Sequence, residues 1–282
     1  MGLPNAPTTN YPDELNADQA TLKKSRLIAT TIIPKGARSD LPYWFAELYY
    51  YITLYEIQRR SIFSHPAFVM RFIPIFYDMY GDAAEVYKIS GATGTAESAE
   101  TAVTGALVGG MAGATAGWAA GMVAQAVAGA AHAAITRAAM PDHWRDHFVI
   151  ASQIVDSSQV YLYINAVTKS IVSGVKAHIQ GDMDKALVKA YRTYTERYSN
   201  VPPFDTFYPD FFERNKQIFG DVRVALINEL VNLGMGLAVS NRQIDPNFAS
   251  KAADILNMGL NIDEIYRWRD KAWQSAKATL RS

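Results

Sequence analysis

Residues 141–181 read PDHWRDHFVIASQIVDSSQVYLYINAVTKSIVSGVKAHIQG, and this stretch decides the fold. Trp144, Phe148, Ala151, Val155, Val160, Ile164, Val167, Ile171 and Val175 recur at spacings of mostly three and four, the period of one helical face. Pro141 and Asp142 suit a helix start, and Gly181 suits a helix end. The spacing predicts one helical run from Pro141 to Gly181.

The flanks carry the same signature. Asp13 to Thr30 reads as a helix with acids leading and Lys23, Lys24 and Arg26 trailing, the order the helix dipole favours. Ser39 suits an N-cap, with Asp40 and Pro42 in the first turn of a helix reaching about Arg60. The aromatic residues of that helix (Tyr43, Trp44, Phe45, Tyr49, Tyr50, Tyr51, Tyr55) surround it, which predicts neighbours on several sides. Ser64 and Pro66 open a third helix to about Ile89, bent at Pro74. Further helices are expected at 183–198, 207–219, 221–240, 246–258 and 262–280, with a loop at 200–204. No alternating strand pattern between turn signals stands out. The expected fold is therefore all-α: residues 1–20 as a flexible arm and 21–282 as a single helical bundle, with 97–139 as an Ala/Gly-rich insertion.

Composition narrows the function. The chain has 282 residues, 27 basic against 27 acidic, 49% hydrophobic and 12% aromatic. A neutral balance argues against nucleic acid as a partner, and the apolar content is enough to repay ordering. With no cysteine there is no disulfide framework, thiol catalysis or Cys-type metal site. The first sixteen residues, MGLPNAPTTNYPDELN, lack the basic leader and apolar run of a signal peptide.

Residues 101–136 contain no Asp, Glu, Lys or Arg, and 14 Ala and 7 Gly make up 21 of those 36 positions. Gly105, Gly109, Gly113, Gly117 and Gly121 recur every fourth residue. On a helix that register makes a groove where a second backbone can approach closely, the small-xxx-small logic of membrane helices. Glycine within a water-exposed helix costs about 1 kcal/mol relative to alanine, so close packing must compensate. One straight helix of this length would measure about 54 Å against a hydrocarbon core of about 30 Å. An Ala/Gly-rich helical hairpin, or one long helix with a protruding end, meets that mismatch. The segment resembles the glycine zippers of membrane-active bacterial proteins such as secreted pore formers and translocation components. Buried packing inside a soluble protein is the alternative use of the same groove.

Histidines are few: His65, His132, His143, His147 and His178. His143 and His147 are four apart, as are His178 and Asp182, and each spacing places two ligands on one helical face. A zinc-type divalent metal could take His143, His147 and Asp182, or His147, His178 and Asp182. Solvated helix charges and a capping Asp182 account for the same residues without a metal. Asp210 and Glu213 read as a pair of acids in a helix's first turn. Arg267, Trp268, Arg269, Lys271, Trp273 and Lys277 outline an amphipathic C-terminal helix.

Segments GVKAHIQGDMDKAL (174–187), PDHWRDHF (141–148), FYPDFFERNKQIF (207–219) and HPAFVMRFIPIFYDMYGDA (65–83) together resemble an uncharacterised family of helical bacterial proteins with a G-M-N-A-H-I-x-x-D-L hallmark. The resemblance spans about residues 60–240. It implies a helical bundle with His178 and Asp182 as a signature pair, although Lys176 stands where the hallmark has Asn. HIQGD is also similar to the H-x-x-G-D segment of zinc-dependent phospholipases C and single-strand nucleases. Their companion histidines and N-terminal tryptophan have no counterpart, so only His178 and Asp182 carry over.

Three functions follow as expectations. The first is a non-enzymatic, membrane-associated protein that self-associates or docks other helical subunits through Gly105–Gly121, as a pore-forming effector or a subunit of a bacterial translocation machine. It needs no cofactor and forms a homo-oligomer. Its location would be cytoplasmic or membrane-associated, with export by a dedicated machine as a further route. The second is a soluble helical scaffold with the glycine groove buried. The third is a metal-dependent enzyme centred on His178 and Asp182, with His143 or His147 assisting.

Overall fold

A helix with aromatic side chains on every side needs neighbours on every side. The computed structural model describes Lys23, residues 41–89 and residues 140–282 apart from 154, 156, 157, 243 and 244. Its helices are α1 (Leu41–Gln58), α2 (Pro66–Ile89), α3 (Asp142–Ala151), α4 (Val160–Gly181), α5 (Met183–Arg197), α6 (Asn215–Ser240), α7 (Phe248–Gly259) and α8 (Ile262–Arg281). Among the described residues there is no strand, and the fold is an all-α bundle. The arm at 1–20, the Ser39 cap and the whole glycine register from Gly105 to Gly121 lie outside the described residues.

The aromatic helix α1 lies against α3, α4 and α6. Trp44, Phe45 and Leu48 are almost wholly buried on it, and Trp44 Nε1 donates to the Tyr163 hydroxyl on α4 at 3.3 Å. The central element is α4, which touches α1, α3, α5, α6, α7 and α8. Its fully buried Ile164, Val167 and Ile171 are the three-and-four stripe that the sequence displays. Gly174 lets Phe45 reach the α4 backbone, since a Cβ there would lie 2.4 Å from that ring.

The run from Pro141 to Gly181 is not one helix. It stops at Ala151, and α4 begins at Val160. Serine side chains compete for backbone hydrogen bonds, and at the end of α3 the Ser152 hydroxyl donates to Val149 O at 3.0 Å. The break lets α3 fold back along α4, so the start of α3 meets the end of α4. That hairpin builds the site described below.

Downstream, the two expected helices at 207–219 and 221–240 are continuous. A single turn of 3-10 helix (Phe204–Phe207) and a π turn (Asp210–Arg214) lead into α6, which passes through Gly220. Likewise α2 continues through Pro74 to Ile89. Near the end of α2, Tyr87 stacks on Phe148 of α3, with centroids 4.3 Å apart and planes 11° from parallel. This stack ties the last turn of α2 to the middle of α3.

Candidate functional site

Asp182 sits in the one-residue link between α4 and α5. It makes no side-chain capping bond. Instead its carboxylate is buried and receives three donors from two helices. His143 Nε2 lies 2.9 Å from Oδ1, the indole Nε1–H of Trp144 donates to Oδ2 at 2.8 Å, and His178 Nδ1 lies 3.2 Å from Oδ2. Gly181 makes this approach possible, because a Cβ there would lie 2.3 Å from the His143 ring. Burial alone would raise the Asp182 pKa, but the bonds from His143 and His178 outweigh it and hold the carboxyl below the ordinary carboxylate value.

An ionised carboxylate only accepts, so the facing nitrogens of His143 and His178 both carry hydrogen. Burial pushes the His178 pKa down by more than Asp182 raises it, so the ring is neutral near pH 7. Its Nε2 is then a bare acceptor, and this buried atom has no hydrogen-bond partner. The ring is held flat by Phe76 and edge-on by Tyr49.

His147 belongs to a different arrangement. The Ser173 hydroxyl, donating to Ser170 O at 2.9 Å, accepts from His147 Nδ1 at 2.9 Å. Burial drives its pKa down to about 3, against a smaller opposing effect from the Ser170 backbone. Of the four residues singled out as metal ligands, His143, His178 and Asp182 thus converge and His147 turns to Ser173. Among the described residues no group of three or more His, Asp or Glu side chains is arranged to hold a metal ion.

A second buried carboxylate is Asp210, which the sequence offered only as half of a first-turn pair with Glu213. Asp210 accepts from the backbone N–H of Ser64 at 2.8 Å and of His65 at 2.9 Å, while His65 Nδ1 lies 3.1 Å away and Arg214 Nη1 donates at 2.9 Å. It anchors the chain entering α2 rather than serving its own first turn. Its place between Phe207 and Phe211–Phe212, a stretch apolar enough to be buried, was the available signal.

The third polar group lies within the core. Glu56 on α1 accepts from Asn215 Nδ2, whose Oδ1 in turn accepts from the Tyr266 hydroxyl at 3.4 Å. Burial raises the Glu56 pKa to about 7, although the charge of Arg269 and the Asn215 bond pull the other way. Arg269 on α8 is 7% exposed, donates from Nη2 to Phe211 O at 3.1 Å, and lies over the Tyr266 ring. A cavity of about 50 Å³ connects these groups to His178, walled mainly by Phe45, Tyr49, Phe72, Phe76 and Phe219.

Comparison with known families, curated proteins and solved structures returns no match to this chain.

Proposed function

We propose that this protein is a membrane-associating helical protein whose bundle presents the Ala/Gly-rich segment for insertion and self-association. The observation that carries the reading is the four-residue glycine register from Gly105 to Gly121 inside 36 charge-free positions. The bundle supports it in one respect. Tyr87 stacked on Phe148 gives α2 and α3 a direct contact of their own within the body. The continuous stretch Phe204–Ser240 adds little, because length and mean hydropathy (1.5 over its best window) also fit a core helix. Oligomers would form through the glycine groove, as in a pore-forming effector or a translocation subunit.

Liposome flotation of the full chain beside a version lacking residues 97–139 tests this. Flotation of the full chain alone, with the shortened body still folded, is the expected result. Failure of the full chain to float overturns the proposal, and flotation of both moves membrane contact to the bundle.

A further inference from the structure

The cavity between α1, α2, α4, α6 and α8 lies between two polar residues that the bundle leaves incompletely satisfied. Arg269 is a buried guanidinium whose Nε has no hydrogen-bond partner, and the carboxylate that feels its charge, Glu56, makes its hydrogen bond with Asn215 instead. The known contacts of Arg269 are a carbonyl and an aromatic face. A buried guanidinium that no carboxylate bonds directly is costly, and an arriving carboxylate matches its fork. Glu56 lines the same cavity and, when protonated, donates a hydrogen bond to such a carboxylate. His178 also lines it and carries the unpartnered Nε2. Because Nδ1 is committed to Asp182, Nε2 offers a lone pair and asks for a hydroxyl or amide donor. The walls between are apolar, so the body of the ligand must be too.

We propose that this cavity binds a short-chain monocarboxylic acid, with its carboxylate on Arg269 and Glu56 and its carbon chain against Phe72, Phe76 and Phe219. A hydroxyl-bearing acid that also reaches His178 Nε2 binds more tightly than the plain one. The volume, about 50 Å³, suits a handful of non-hydrogen atoms, given the roughly 10–15 Å³ that one water takes by the same measure. Small, mostly apolar sites with a few placed polar groups are the common form of ligand pocket.

Isothermal titration of the full chain with butyrate, 4-hydroxybutyrate and butylamine provides the test. Saturable binding of both acids with Kd near 1 mM or below is expected, with 4-hydroxybutyrate at least threefold tighter and butylamine not bound. Arg269→Met loses at least tenfold in affinity for both acids. Should that variant unfold, Ile52→Trp supplies an independent reading, since Ile52 is only half-buried and lines the cavity, so that the larger indole fills it. A melting curve confirms that this variant is folded, and binding is abolished. No saturation by either acid up to about 10 mM overturns the proposal and leaves ordered water as the occupant. Equal affinity for butylamine, or unchanged binding in a folded Arg269→Met or Ile52→Trp variant, overturns it as well.

Discussion

The His178 imidazole lies flat on the Phe76 ring, with 3.5 Å between centroids and 7° between planes. Stacking fixes the plane of the ring, and Asp182 fixes its rotation within that plane through Nδ1. One face of the imidazole thus belongs to packing and one edge to the carboxylate, which leaves Nε2 for the cavity. Phe76→Leu removes the stack while keeping bulk. It is expected to broaden or shift the His178 ring signals in nitrogen-detected NMR, whereas an unchanged spectrum shows that Asp182 alone orients the ring.

Asp182→Ala takes the acceptor from a fully buried indole and from the His178 Nδ1–H at once. The expected loss is about 3–5 kcal/mol in urea unfolding at pH 7, and Asp182→Asn, which keeps an acceptor for Trp144, loses less. A loss below about 1 kcal/mol for the alanine variant would show that the three-donor arrangement is not a structural tie between α3 and α4.

Glycine substitutions should change sign with position. Gly174→Ala and Gly181→Ala place a Cβ 2.4 Å from Phe45 and 2.3 Å from His143, and overpacking of this kind costs about 1–3 kcal/mol. At Gly220 and Gly236 a Cβ meets nothing within 4 Å. Alanine there is expected to stabilise α6 by about 0.5–1 kcal/mol through helix propensity and a less flexible unfolded chain. Thermal melting of the four variants is sufficient, and a stable Gly181→Ala variant would contradict the close approach of His143.

The pH dependence of stability separates Glu56 from His147. Burial raises Glu56 from 4.5 to about 7, so between those values the folded chain keeps a proton that the unfolded chain has shed. Its contribution is fully present below pH 4.5 and is lost as pH rises through 7, by about 3 kcal/mol in total. His147 acts oppositely: burial lowers it from 6.5 to about 3, and stability is lost as pH falls across that window. Glu56→Gln, which can still accept from Asn215, is expected to match the parent near pH 4.5 and exceed it at pH 8. Denaturant unfolding at several pH values checks this, and equal stability at pH 8 would place an ionised Glu56 comfortably in the fold.

Asp210→Ala strips the backbone N–H groups of Ser64 and His65 of their acceptor. Faster hydrogen exchange is expected at these two amides and in the first turn of α2, with a global loss of about 1–3 kcal/mol. Exchange confined to the Asp210 turn itself would show that α2 does not rely on this anchor.

The helical class was legible because Ile164, Val167, Ile171 and Val175 keep one face over three turns. The break at 152–159 was not, since Val155 and Val160 carry the apolar spacing across it. What decides the break is the gain from folding α3 onto α4, a contact no local pattern contains. Gly220 suggested a boundary that α6 ignores, because open space on its surface makes glycine tolerable there. In the site, the four-residue spacing of His178 and Asp182 was readable, while the arrival of His143 and Trp144 depended on the hairpin. Arg269 read only as one of several basic residues, with Arg267 and Lys271, of an amphipathic C-terminal helix. Yet Ile265, Arg269, Trp273 and Ala276 share the three-and-four period of the buried face, and that signal was present. Glu56 was similarly visible as one of only two charges in α1.

The Tyr87–Phe148 stack also bears on how freely this chain can vary. Because the body holds Tyr87 and Phe148 together, the entropy of closing a chain loop between α2 and α3 grows only with the logarithm of the loop's length. Doubling such a connection costs about 0.6 kcal/mol. On this entropic ground alone, the placement of α2 against α3 tolerates a change in the number of residues between Ile89 and Met140 at small cost.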